Sequence, residues 1–187
     1  MLPATGKWFP ILTERLTLRE FRSDDEADIH EYGGDPEVSI YADWGPNTRA
    51  QTHDFLALRL RHQFDWPRSD VSLAVELLGE SKVIGSASLW ITDLSNRTAF
   101  FGYAFDRRYW NKGYATEASL ALLRVAFEVL DWHRVCATCD TRNLASQRVM
   151  EKLGMRREAE FREDAFQKGE WRDTYLYAIL ENEWRNS

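Results

Sequence analysis

The residue pattern predicts an α+β domain: a mixed, mostly antiparallel sheet of seven strands flanked by four helices. Three observations carry this. Short apolar runs alternate with polar or small residues, as at Val71, Leu73, Val75 and Leu77, which is the period of a strand half-buried on one side. Two more such runs follow across turns at 78–82 and 93–96, giving an antiparallel meander. A strand, a strongly amphipathic helix and another strand then fill residues 98–140, the signature of a parallel crossover. A chain of 187 residues suits one domain over 1–187 with a sizeable core.

Residues 16–21 alternate and read as the first strand. Ser23, Asp24, Asp25 and Glu26 cap a short helix and place acids in its first turn. That helix runs to about Tyr32 and stops at Gly33-Gly34-Asp35-Pro36. A loop through Tyr41, Asp43, Trp44 and Pro46 leads to Thr48, the cap of a second helix reaching about Phe64. Its apolar contacts are Phe55, Leu56, Leu60 and Phe64. The meander follows, with strands at 71–77, 83–91 and 98–105. A third helix spans about 116–130 and carries Ala118, Leu122, Ala126 and Val129 on one stripe. Residues 134–140 form the next strand. A short helix over 145–153 ends at Gly154, a glycine suited to a helix stop. Strands at 155–161 and 171–180 close the chain, with a polar loop expected at 162–170.

Composition narrows the function classes. The chain is 44% apolar and 29% charged, an ordinary globular balance. Aromatics make up 13%, with eight Trp, which predicts a well-filled core or aromatic-lined clefts. A net charge of −6 argues against nucleic acid or a membrane surface as partner. It suits a cationic or amine-bearing partner, or simply a soluble protein. No apolar run spans a bilayer. Residues 1–10 lack the charged start and apolar core of a signal peptide, so a cytoplasmic location is expected. Cys136-Ala-Thr-Cys139 imitates a redox or zinc motif. On a strand, however, residues three apart point to opposite faces, and no second Cys pair completes a zinc site. Both thiols read as small buried residues. His30, His53, His62 and His133 have no paired metal-ligand spacing, so no metal is expected. Nucleotide-binding glycine motifs and the G-x-S-x-G elbow are likewise missing.

The distinctive segment is Trp110-Asn111-Lys112-Gly113-Tyr114-Ala115-Thr116-Glu117-Ala118, between a strand and an amphipathic helix. A glycine-containing turn that feeds a helix aims several free N–H groups at one spot, at the positive end of the helix dipole. Such a spot binds phosphate oxygens. An ordinary turn glycine is the alternative for Gly113 alone.

This segment resembles the acyl-CoA loop of the Gcn5-related N-acetyltransferase (GNAT) superfamily, usually [QR]-x-x-G-x-[GA]. Gly113 and Ala115 match its small positions, and Trp110 replaces the leading Gln or Arg, as in the ribosomal-protein N-terminal acetyltransferase branch. Asn111 stands where that branch often has Gly, and Asn tolerates left-handed backbone. Further likeness to that branch lies in Thr13 to Arg19, in Asn143 to Met155, and in Gly169-Glu-Trp171-Arg-Asp173 with Tyr175-Leu-Tyr177. The resemblance thus runs from about Thr13 to Trp184.

It implies a single acyl-CoA N-acyltransferase-like domain whose fourth and fifth strands splay around acetyl-CoA. The pyrophosphate would lie on amides of Asn111, Lys112, Gly113, Tyr114, Ala115 and Thr116, with added charge from Lys112. Asn143 would bond the pantetheine arm. Arg148 or Lys152 would meet the outer phosphates, or equally form a solvated face. A main-chain N–H near Phe105 would hold the oxyanion. The family often places a Tyr on the helix after the fifth strand to protonate the thiolate. Met150 occupies that position here, and Ser146 falls where the ribosomal-protein branch places a Ser near the sulfur. Phe100 replaces the Glu that often serves as base, so a carboxylate would come from Glu163, Asp164 or Asp43. Without a dedicated base, a weakly basic acceptor is favoured: about a quarter of an α-amine is neutral near pH 7.4, against about one part in a thousand for Lys. The implied activity is acetyl transfer to a protein N-terminus or a small amine, by a monomer or homodimer. A CoA-binding regulatory module without turnover is the alternative, and a structural domain without ligand a third reading.

Overall fold

The computed structural model describes residues 9–65 and 68–186. Its strands are β1 (Ile11–Leu12), β2 (Leu16–Glu20), β3 (Asp70–Leu77), β4 (Val83–Asp93), β5 (Thr98–Phe105), β6 (Arg134–Asp140), β7 (Arg156–Gln167) and β8 (Glu170–Leu180). They form one sheet in the order β1-β2-β3-β4-β5-β6-β8-β7. Only β5 and β6 pair in parallel; the other neighbours are antiparallel. The helices are α1 (Glu26–Gly33), α2 (Pro36–Ser39), α3 (Arg49–His62), α4 (Tyr114–Arg124), α5 (Leu144–Lys152) and α6 (Glu181–Arg185).

The expected fold class holds, with eight strands and six helices in place of seven and four. The additional elements, β1, α2 and α6, have two, four and five residues, too short to carry a period. Asp35 caps α2 by accepting from the Glu37 N–H, and Pro36 opens it, so the expected helix stop also starts a new turn of helix.

α4 and α5 cover one face of the sheet. Ala118 and Leu122 of α4 pack against Leu16, Leu18, Leu73 and Val75. Leu123, Ala126 and Phe127 meet Phe101, Val135 and Met150. α1 and α3 cover the opposite face, where Ile29, Tyr32 and Leu56 pack on Ala74 and Val83. β3 is therefore buried on both sides from Val71 to Val75, a correction to the half-exposed strand expected from alternation. Ser72 and Ala74, the small residues between the large ones, lie beneath the second helical layer.

Three further expectations change. Residues 162–170 are not a loop: β7 and β8 continue to a two-residue turn at Lys168 and Gly169, both left-handed (φ 51° and 85°), as a tight hairpin requires. β7 is an edge strand exposed along most of its length, so no buried face imposes apolar alternation. The helix expected to 130 closes with a π turn at Val125–Val129. This wider turn shifts the helical phase, and Val129 leaves the stripe for solvent. Phe64 lies beyond the end of α3 and is exposed.

Candidate active site

The turn before α4 is built by side chains from both ends of the domain. Trp110 donates its indole N–H to the Phe105 carbonyl at 2.7 Å, tying the turn to the end of β5. Asn111 adopts φ 59° and Gly113 φ 84°. A Cβ on Gly113 would approach the Arg15 guanidinium to 3.3 Å, so backbone conformation and space both select glycine. Arg15 donates to the Lys112 carbonyl at 2.9 Å and lies over the Tyr114 ring at 4.5 Å. It also ion-pairs with Glu117 at 2.6 Å. Burial would raise the Glu117 carboxyl, but bonds from the Thr13 hydroxyl and the Arg15 N–H and guanidinium outweigh it and hold the group below its ordinary range. The first intrahelical bond of α4 runs from the Glu117 N–H to the Gly113 carbonyl at 3.0 Å. The N–H groups of Tyr114, Ala115 and Thr116 precede it and have no intrahelical acceptor. Three donors at a helix N-terminus, fixed from behind by Arg15, fit a diphosphate.

The sheet splits beside this turn. β5 and β6 pair only at Thr98–Arg134, Ala99–Val135 and Phe100–Cys136, although β5 continues to Phe105 and β6 to Asp140. The Asp106 N–H donates to Ile84 on β4 at 2.9 Å. Successive residues of a strand present their N–H groups to opposite edges, so the Phe105 N–H faces the split. Across it, the Tyr103 hydroxyl donates to the Ser146 hydroxyl of α5 at 3.3 Å. Burial pushes Tyr103 up to about 12 despite that hydrogen bond, so it keeps its proton. Ser146 is held in turn by its N–H, which donates to the Asn143 side chain at 3.0 Å.

On the α1/α3 face the split opens into a cavity of about 640 Å³. Tyr32, Phe55, Trp90, Tyr103, Tyr41 and Trp44 supply aromatic walls, so the high aromatic content lines a cleft as well as the core. Gln167 and Arg172 close one side. Here the hairpin is pinned to the C-terminal end of α2: Lys168 donates to the Ser39 carbonyl and Arg172 to that of Ile40. Asp140 binds Arg142 at 2.7 Å and Arg172 at 2.8 Å. Burial would raise the Asp140 carboxyl, but these bonds outweigh it and hold it well below the carboxylate range.

Several residues expected at a site thus converge: Phe105, Asn111 to Thr116, Asn143 and Ser146 surround the turn and the split. Arg148 and Lys152 sit exposed on α5, and Lys112 places its ammonium 5.2 Å from the Tyr109 ring. Glu163 and Asp164 stand elsewhere, on β7 in a shallow depression with Glu160 and Asp173. Asp43 does line the cavity. Tyr103 and Arg15 carry no spacing signal; only the alternation that puts Tyr103 beside Phe101 and Phe105 pointed to its face. Cys136 and Cys139 are buried free thiols, both raised by burial, Cys139 to about 12. Among the described residues no three His, Cys, Asp or Glu side chains converge as a metal site. No helix among them is long and apolar enough to cross a membrane.

The turn, the split parallel pair and the cavity are features of an acyltransferase, and comparison with known proteins agrees. Residues 15–156 match the model of the acetyltransferase (GNAT) domain. The chain is 36% identical over 174 residues to the uncharacterized N-acetyltransferase YnaD of Bacillus subtilis, covering 93% of this chain and 98% of that one. It is 26% identical over 106 residues to the ribosomal protein uS5 alanine N-acetyltransferase of Escherichia coli, covering 56% and 55%. The crystal structure of a GNAT-family acetyltransferase from Bacillus anthracis superposes with a TM-score of 0.81 at 37% identity, covering 92% and 98%. The chain belongs to the GNAT family and is an acetyl-CoA-dependent N-acetyltransferase.

Proposed function

We propose that this enzyme moves an acetyl group from acetyl-CoA to a weakly basic primary amine, a protein N-terminal α-amine or a small amine, by direct attack across the gap between β5 and β6. The observation that carries the reading is the early end of their pairing, at Phe100 and Cys136. It leaves one opening with the phosphate-binding turn on one side and an aromatic cavity on the other. Bound acetyl-CoA supplies the thioester carbonyl and the thiolate leaving group.

The chain's residues divide the remaining work. Main-chain amides of the turn from Asn111 to Thr116 hold the diphosphate, with Arg15 fixing their direction. The free amide group of Asn143 meets the pantetheine arm, and Arg148 the outer phosphates. The Phe105 N–H, facing the split, stabilises the oxyanion that develops as the C–N bond forms. As the C–S bond breaks, the thiolate takes a proton from Tyr103 directly or through Ser146, and the Tyr103 hydroxyl recovers one from solvent. The proton lost by the attacking nitrogen leaves through the cavity, where Asp43 is the lining carboxylate without an ion pair among the described residues. The Tyr103–Ser146 pair thus supplies the proton donor that Met150, buried in the core, does not.

The test measures free-thiol release and melting temperature together. Acetyl-CoA should raise the melting temperature, and a primary amine should release thiol. Stabilisation without thiol release from any amine marks a non-catalytic CoA-binding module and ends the catalytic reading.

A further inference from the structure

The charges in the acceptor cavity are almost all spoken for. Four of its lining residues are ionic: Asp43, Arg59, Asp140 and Arg172. Arg59 is paired with Asp70 at 2.8 Å and lies over the Phe55 ring at 5.0 Å. Arg172 is paired with Asp140 and with Glu170, each at 2.8 Å, and Asp140 also accepts from Arg142. Each cation's charge is already offset by a carboxylate, although Arg59 and Arg172 each keep a buried Nε–H without a partner, and Asp140 is offset by two guanidinium groups. Asp43 is the only one of the four without an ion-pair partner among the described residues. Its cationic neighbour Lys168 acts on it from beyond pairing distance and gives its ammonium to the Ser39 carbonyl. The rest of the wall carries its large apolar surfaces on six aromatic residues, set among neutral polar and small ones.

This balance narrows the expectation of a cationic or amine-bearing partner drawn from net charge. The −6 of the whole chain is not concentrated in the cavity, which offers one free negative charge and no free positive one. A polyamine carries several ammonium groups and would bring most of them against aromatic faces with one carboxylate to share, a costly desolvation. A free amino acid would bring a carboxylate with no unpaired cation to meet it. A singly charged amine on an aromatic body matches both the charge count and the lining. The pinning of the hairpin to the C-terminal end of α2 limits how far the walls part for a polypeptide.

We propose that the acceptor is a small aromatic monoamine without a carboxylate, its amine steered by Asp43 and its ring held by the aromatic wall. This rests on the acetyl-transfer reading above. The probes are phenylalaninamide, phenylalanine, spermidine and a lysine-rich peptide, each assayed for thiol release with acetyl-CoA. Phenylalaninamide should have the highest kcat/KM of the four. Asp43→Asn should raise its KM about fivefold, the upper end for an exposed ion pair, while leaving the melting shift with acetyl-CoA unchanged. Faster turnover of spermidine, phenylalanine or the peptide overturns the acceptor class and leaves the transfer reaction standing. An unchanged KM in Asp43→Asn overturns the role of Asp43. Thiol release from none of a wide range of amines overturns both the acceptor class and the reaction.

Discussion

Two side chains that meet across the split, Tyr103 and Ser146, are the pair proposed to protonate the leaving thiolate. Each is unremarkable in sequence: one tyrosine among seven and one serine in the first turn of a helix. Burial pushes Tyr103 up to about 12, so it stays protonated across the working pH range, although the same shift makes it a weaker acid than a free tyrosine. Tyr103→Phe should lower kcat about 10²-fold, the lower end for a lost general acid, with the affinity for acetyl-CoA unchanged. Since Tyr103 stays protonated below about 12, kcat/KM should rise with pH to the pKa of the acceptor amine, about 7.7–8.0 for an α-amine, and then stay level. A fall in rate just above that value would remove Tyr103 as the donor. Gly113→Ala forces an L side chain to φ 84° beside Arg15. A loss of about 1–2 kcal/mol of stability and a raised KM for acetyl-CoA should follow, read by urea unfolding and steady-state kinetics.

At the scale of elements, ion pairs do what hydrophobic periodicity cannot. Glu117 of α4, with Thr13 and Arg15 before β2, clamps the turn to the far side of the sheet. Glu117→Gln should weaken acetyl-CoA binding more than it destabilises the fold, a comparison made by titration and unfolding on the same variant. Asp140 joins β6 to β8 through buried Arg172. Asp140→Asn leaves that guanidinium with Glu170 as its one remaining carboxylate and should cost less than the roughly 3–5 kcal/mol of a fully broken buried pair. The pH dependence has a definite sign. The folded carboxyl lies well below the ordinary range, so its contribution is present above the unfolded value of about 3.9. It is lost as pH falls from there toward the depressed folded value. Unfolding at pH 7, 4 and 3 should show the wild type weakening toward acid and Asp140→Asn changing less.

For the molecule as a whole, the sheet is continuous except where β5 and β6 part, the place proposed for the reaction. The two helical layers bury most of β3 and the first half of β4, while β5 and β6 part after three residue pairs. Binding a thioester donor in the gap should couple the two halves of the sheet. At a hundred times its Kd, acetyl-CoA should add about 2.7 kcal/mol of stability. At about 2–4 °C per kcal/mol for a chain of this size, the melting temperature should rise by about 5–11 °C, read by differential scanning fluorimetry. Desulfo-CoA, which keeps the diphosphate, should retain most of that shift if the turn dominates binding.

By itself, the amino-acid order determined the α+β class, the meander, the parallel crossover and the turn with its left-handed Asn111 and Gly113. Each of these is a local matter of period, turn chemistry or a helix N-terminus, written in consecutive residues. Tertiary structure alone decided that Arg15 reaches the turn from about a hundred positions away. It likewise decided that Tyr103 meets Ser146 across an opening, that 162–170 is strand rather than loop, and that the cavity keeps a single unpaired charge within an acidic chain. Those outcomes depend on which distant side chains share a space and cancel one another's charge. No stretch of consecutive residues encodes that, because the energies involved arise only when separate elements pack.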